Sequence, residues 1–239
     1  MPWTSADFEF SAMTAGEVRA AAGRVTFIPV AQIEAHGQHL PVSADCILTS
    51  AICLEAARAA GGIVAPPLTL GNCFDFTCWP GYLVVDTPTL FGIVRGYIKS
   101  LSEQGFQRQF YFLMHGGNVY NALILATGEA KSLWPNVDAT VACLPNLLGG
   151  DLQAVARGGD VDTSLMMAVR PEMVLGSKLV PPPAAVPSWL RTAHTTATRH
   201  ALSNYFPDAV FSDSALSNGE TGRDIMRLAV QRLTALVEV

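Results

Sequence analysis

The chain has 239 residues, half of them apolar, and only 15% are Asp, Glu, Lys or Arg, against roughly a quarter in ordinary soluble domains. Fifteen basic and twenty acidic side chains leave a net charge of −5 without a basic run, which argues against nucleic-acid binding because phosphate recognition needs a clustered positive field. Glu55 and Arg58, or Pro181 to Pro183, break the apolar stretches before the ~18 residues of a membrane span accumulate, and the Asp7 and Glu9 region lacks a signal-peptide pattern.

Five scattered cysteines (Cys46, Cys53, Cys73, Cys78, Cys143) lack metal-ribbon spacing and read as reduced thiols of a cytoplasmic protein. The length suits a single domain over residues 1–239. Its apolar excess is more than one core of that size must hide, which a subunit interface would absorb.

In chain order, Val25 to Val30 reads as a buried strand. Asp45 to Ala60 reads as a helix stopped by Gly61-Gly62. A brief strand follows at Ile63 to Ala65, ended by Pro66-Pro67. Thr87-Pro88 opens the next helix as N-cap and first helical residue, and Gly105 closes it. Phe110 to Leu113 is expected as a strand, Val119 to Leu133 as a helix and Ala139 to Cys143 as a strand. A proline-rich loop spans Leu179 to Pro187, before helical segments at about Ser188 to Asn204 and Gly219 to Val239. Strands separated by helical crossovers predict an α/β fold with a parallel sheet covered on both faces.

Ligands of such sheets gather at the carboxyl ends of the strands, and three polar clusters fall there. They are Glu34-Ala-His36-Gly-Gln-His39-Leu-Pro with Asp45 after it; His115-Gly116-Gly117-Asn118; and Arg157-Gly-Gly-Asp160-Val-Asp162-Thr163-Ser164, placed in the loop after the last strand. Each has a plainer account: a turn for the His-Gly pair, a helix N-cap for Asp45, a solvated turn paired with Arg157 for Asp160 and Asp162. Together they supply imidazoles and carboxylates, the donor set of a divalent metal site. Phe76 and Trp79, beside Pro80-Gly81, suit either core packing or a pocket wall.

The order and spacing of these motifs over about Ile28 to Pro171 resemble the creatininase (creatinine amidohydrolase) superfamily. The resemblance implies a three-layer α/β/α sandwich, a hexameric homo-oligomer, and two divalent ions, zinc first, with manganese or iron as alternatives. Carried over by position, Glu34 and His115 hold one ion, His36 and Asp160 the other, and Asp45 bridges them. His39, Phe76, Trp79, Gly116, Gly117 and Asn118 are then the expected substrate contacts, His39 equally suited to orienting the loop.

Departures from the family pattern are specific. Arg157 replaces the usual proton-shuttling His, Leu113-Met114 replaces Asn-Gly, and Asp160 stands where most relatives carry Glu. A guanidinium stays protonated, so Arg157 is expected to stabilise an oxyanion or clamp a substrate carboxylate, leaving Asp162 to relay the proton.

The leading expectation is a binuclear metal hydrolase in which acidified water attacks a small, cyclic amide. Two alternatives stand beside it: opening of a cyclic ketone at a C–C bond, favoured by Arg157 as an enolate stabiliser, and a non-catalytic metal- or metabolite-binding relative. The expected partners are a small-molecule substrate and copies of the same chain, with neither nucleic acid nor membrane.

Overall fold

The computed structural model describes residues 7–114, 118–184 and 199–238, and only the backbone of residues 118 and 199–201. Four strands form one parallel sheet in the order β2-β1-β3-β4: β1 (Thr26–Val30), β2 (Ile63–Val64), β3 (Arg108–Leu113) and β4 (Asp138–Cys143). Side chains alternate across such strands, and here both faces are apolar. Phe27, Phe110, Phe112 and Ala142 point to one side, and Ile28, Val30, Tyr111, Leu113, Ala139 and Cys143 to the other.

Pro29 sits in the central strand, where a missing N–H would normally break the ladder. Odd-numbered residues of β1 face β2, as the bonds from Ile63 N to Val25 O and from Ala65 N to Phe27 O show. Because β2 ends at Val64, Pro29 falls beyond the short ladder, and its carbonyl accepts instead from Leu68 N at 2.9 Å.

Helices cover both faces, giving three layers. On the Ile28 side lie α3 (Thr87–Glu103), through Leu90, Val94, Ile98 and Leu101, and α4 (Asn118–Leu133), through Leu123, Ala126 and Ala130. On the Phe27 side lies α2 (Ala44–Ala60), through Leu48, Ile52, Cys53 and Ala56. Beside it pack α7 (Val161–Val169) and α9 (Gly219–Ala235), through Leu165, Met166, Ile225, Ala229 and Leu233. Fully burying each large apolar side chain contributes roughly 1.5–3 kcal/mol.

Several details depart from the sequence reading. The α3 N-cap is Asp86, whose carboxylate accepts from Thr89 N at 2.7 Å, so Thr87 and Pro88 both lie inside the helix. A short α1 (Ala15–Ala20) precedes the sheet, held by a reciprocal Thr14–Glu17 capping box. After β4 the chain makes α5 (Leu144–Leu148) and α6 (Gly150–Ala156), so the third polar cluster opens α7 rather than following the strand directly. Of the expected Ser188–Asn204 helix, the described part is α8 (Arg199–Tyr205); its beginning lies outside the described residues.

The sheet order reverses between β1 and β3, since β1 leads to β2 on one side while β3 joins it on the other. That reversal leaves a crevice at the carboxyl ends of β1 and β3. It is lined by Val30, Ala31, Gln32, Asp45, Leu113, Met114 and Val119.

Candidate metal centre

Glu34, His36 and Asp45 converge at this crevice. Asp45 lies in the first turn of α2, buried, where the helix dipole favours a negative charge. Glu34 is held by its backbone N–H, which donates to Val42 O at 3.1 Å. His36 follows before a tight turn at Gly37, whose φ of +66° is in the left-handed region. One ligand atom from each of the three lies within 4.8 Å of the others.

His36 Nε2 is 3.3 Å from Asp45 Oδ1 and 3.8 Å from Asp162 Oδ2. Burial opposes the imidazolium, but Asp45 by charge and hydrogen bond, then Asp162 and Glu34, outweigh it and push its pKa up to about 10. The cluster thus gathers several carboxylates away from water around one positive charge. Two buried carboxylates with an imidazole are a hard-to-borderline donor set, and a divalent ion would offset their repulsion and lost hydration. The residues fit a divalent cation on that ground.

The two aspartates at the start of α7 divide differently from the sequence expectation. Asp160, expected as a metal ligand, is the N-cap: its Oδ1 accepts from Thr163 N at 2.8 Å and from Thr163 Oγ1 at 2.6 Å. Its Oδ2 accepts from Ser212 Oγ. A carboxylate receiving three donors has little left for a cation. Asp162, in the first turn of the helix and expected as a proton relay, is the one of the two that faces His36, with its side chain 28% exposed.

Arg157 also lies elsewhere than expected. It is exposed and ends α6 as a left-handed C-cap with φ +52°, its N–H donating to Gln153 O. Trp79 is buried rather than lining an open wall, and its Nε1–H donates to Phe206 O at 2.9 Å. Phe76 is half-buried and meets Trp79, Tyr82 and Phe211 at ring-centroid distances of 5.7, 6.5 and 5.7 Å. Ala35, between the two first donors, packs against this aromatic cluster.

His39 is buried, and its Nε2 lies 2.8 Å from Thr163 Oγ1. Burial lowers its pKa, with the neighbouring Asp160 charge opposing and His36 adding to the shift. The expected residues His115, Gly116 and Gly117 lie outside the described residues, and Asn118 is placed as the first residue of α4.

Gln32 and Tyr82 were not singled out by sequence. Tyr82 donates to Gln32 Oε1 at 2.8 Å, and Gln32 lines the crevice beside Asp45. The available signal was positional: Gln32 lies two residues before Glu34, just past the first strand. Burial first, then Asp45, pushes the nearby Cys46 thiol up to about 11, so it stays protonated.

Among the described residues, no helix is long and apolar enough to cross a membrane. The family model described as Creatininase: Creatinine amidohydrolase matches residues 11–237. A creatinine amidohydrolase from Pseudomonas putida is 30% identical over 199 residues, 72% of this chain and 75% of the relative. A mycofactocin precursor peptide peptidase from Mycolicibacterium smegmatis is 29% identical over 164 residues, 65% of this chain and 62% of the relative. The solved creatinine amidohydrolase (creatininase) superposes with a TM-score of 0.81 at 23% identity, covering 97% of this chain and 96% of its own. A structure named Creatininase Mn gives the same TM-score at 22% identity, covering 97% and 98%.

Proposed function

The chain belongs to the creatininase family, and from that premise we propose that it is a metal-dependent amidohydrolase cleaving a C–N amide bond in a small, cyclic substrate. The observation that carries this reading is the buried convergence of Glu34, His36 and Asp45, with the Asp162 carboxylate 3.8 Å from His36. Relatives are named for amide hydrolysis on creatinine and on a precursor peptide, and neighbouring structures are named as Zn-Zn and Mn forms. We extend the proposal to two divalent ions, zinc first.

Glu34, His36, Asp45 and Asp162 would hold the metal, which moves Asp162 from proton relay to donor. When bound, such ions supply Lewis acidity at the carbonyl and a water of lowered pKa. The protein's part is placement and desolvation. Val30, Ala31, Leu113, Met114 and Val119 give the crevice an apolar wall, with Gln32 and Asp45 as its polar groups among the described residues. An amide carbonyl brought to the mouth of this crevice would meet these polar groups, which would orient it against the donors. Ring opening of a cyclic ketone rested on Arg157 at the site, and an exposed C-cap position gives that reading no support.

Self-assembly, in hexameric form, belongs to the same proposal. Ile124, Leu125 and Leu133 on α4 are exposed, Leu125 by 63%, which supports a face covered by another subunit. Light scattering that finds a monomer at micromolar concentration would remove this part.

The activity is tested by loading chelator-treated protein with zinc or manganese. Product release is then followed on a panel of cyclic amides, linear amides, short peptides and cyclic ketones. Metal-dependent turnover of a cyclic amide is expected, abolished by Asp45→Asn together with metal uptake. Full metal loading without turnover on any amide would favour the binding-protein alternative. Turnover confined to cyclic ketones would overturn the C–N assignment.

A further inference from the structure

The direction of the hydrogen bonds around Thr163 fixes the protonation form of a neighbouring ring. Thr163 is fully buried, and its hydroxyl lies 2.6 Å from Asp160 Oδ1 and 2.8 Å from His39 Nε2. A hydroxyl carries one hydrogen, and an ionised carboxylate only accepts. The Thr163 hydrogen therefore goes to Asp160, and His39 must present its own N–H at Nε2. The lone pair is left on Nδ1, which is buried without a hydrogen-bond partner among the described residues. That edge of the ring rests on the turn after His36, since a Cβ on Gly37 would stand 2.6 Å from Nδ1.

Asp160 itself is anchored from several sides. Besides Thr163 and Ser212, its backbone N–H donates to Asp213 O and to Ser217 Oγ, both at 3.0 Å. The chain of bonds thus runs from a fixed carboxylate, through a buried hydroxyl, to a ring packed beneath a metal-donor turn. It joins residues 36–39 to residues 160–163, the two stretches across which His36 faces Asp162.

We propose that Asp160, Thr163 and His39 form a positioning relay, which holds His39 in the Nε2–H form and thereby sets the His36 turn against the Asp162 end of α7. It rests on the reading of this site as a metal centre, and none of its three members touches substrate. Partners that orient ligands in this way typically contribute 10- to 100-fold in metal affinity or activity.

Thr163→Val keeps the shape and removes the hydroxyl, whereas Thr163→Ser keeps the hydroxyl. Two readouts are taken: the His39 tautomer by nitrogen NMR of histidine-labelled protein, assigned against His39→Gln, and zinc affinity by chelator competition. The wild type should show the Nε2–H form. Thr163→Val should lose that single form and bind zinc 10- to 100-fold more weakly, with Thr163→Ser within about threefold of wild type.

An Nδ1–H form in the wild type overturns the relay, and this needs no variant to fold. So does a Thr163→Val protein with unchanged tautomer and zinc affinity within threefold. Wild type that takes up no zinc overturns the metal reading instead, while the His39 spectrum still decides the hydrogen-bond chain.

Discussion

Asp160 and Asp162 are two residues apart, yet their replacement should fail in different ways. In Asp160→Ala the α7 N-cap is lost, which costs about 1 kcal/mol. The hydroxyl donors Thr163 and Ser212 also lose a charged acceptor, about 1 kcal/mol each after allowing for partial exposure. The sum is ~3 kcal/mol, which for a chain of this size corresponds to a fall of ~6–12 °C in melting temperature. Asp162→Asn removes a partly exposed carboxylate 3.8 Å from His36, and a pair open to solvent contributes little, so metal-stripped protein should hold its stability within about 1 kcal/mol.

Zinc is the second axis of the same experiment. A site filled at 100 times its dissociation constant stabilises by about 2.7 kcal/mol, and Asp162→Asn should forfeit most of that gain. The assay is urea unfolding of each variant, once with chelator and once with zinc. If metal-stripped Asp162→Asn loses ~3 kcal/mol while metal-stripped Asp160→Ala loses less than 1, the division of roles drawn from the hydrogen bonds is wrong.

The pH dependence follows from His36. Its folded pKa of about 10 exceeds the unfolded value of about 6.5, so the folded chain binds the extra proton between those values. The stabilisation is complete below about 6.5 and lost as pH rises through about 10. Metal-stripped protein should therefore show a falling urea midpoint from pH 7 to 10, and His36→Gln should flatten that slope; a flat wild-type profile would contradict the ion-pair geometry. Arg157→Gly relieves a left-handed backbone worth about 1 kcal/mol, so stability should hold or rise and kcat/KM should stay within about twofold. A tenfold loss would return Arg157 to the chemistry. Gly222→Ala places a methyl 1.9 Å from the Ser164 carbonyl oxygen, so α9 must move off α7 at a cost of about 3 kcal/mol. An unchanged urea midpoint would show that this helix crossing is looser than described.

Much of the fold was legible because its signals are local. Val25 to Val30, the Gly61 stop and the Phe110 to Leu113 run each announce themselves within a few residues, and the structure places strands and a helix end there. Thr87 is not the cap because Asp86, one residue earlier, supplies a charged acceptor for Thr89 N. The α5 and α6 turns after β4 escaped because they are too short for periodicity to register.

The site divides along a similar line. Sequence by itself determined that Glu34, His36 and Asp45 belong to one constellation. They lie within a dozen residues between a strand end and a helix start, so chain connectivity alone brings them to the same edge. Only the tertiary structure separates the surroundings of Asp160 and Asp162. Both are aspartates beside a Gly-Gly pair, and their difference is which one meets Thr163 and Ser212 and which one meets His36. Thr163 is a local partner three residues on, but Ser212 and His36 come from segments about 50 and more than 120 residues away. A contact made across that distance is fixed by how α7 packs on α2 and α9, which residue types and spacing along the chain do not specify.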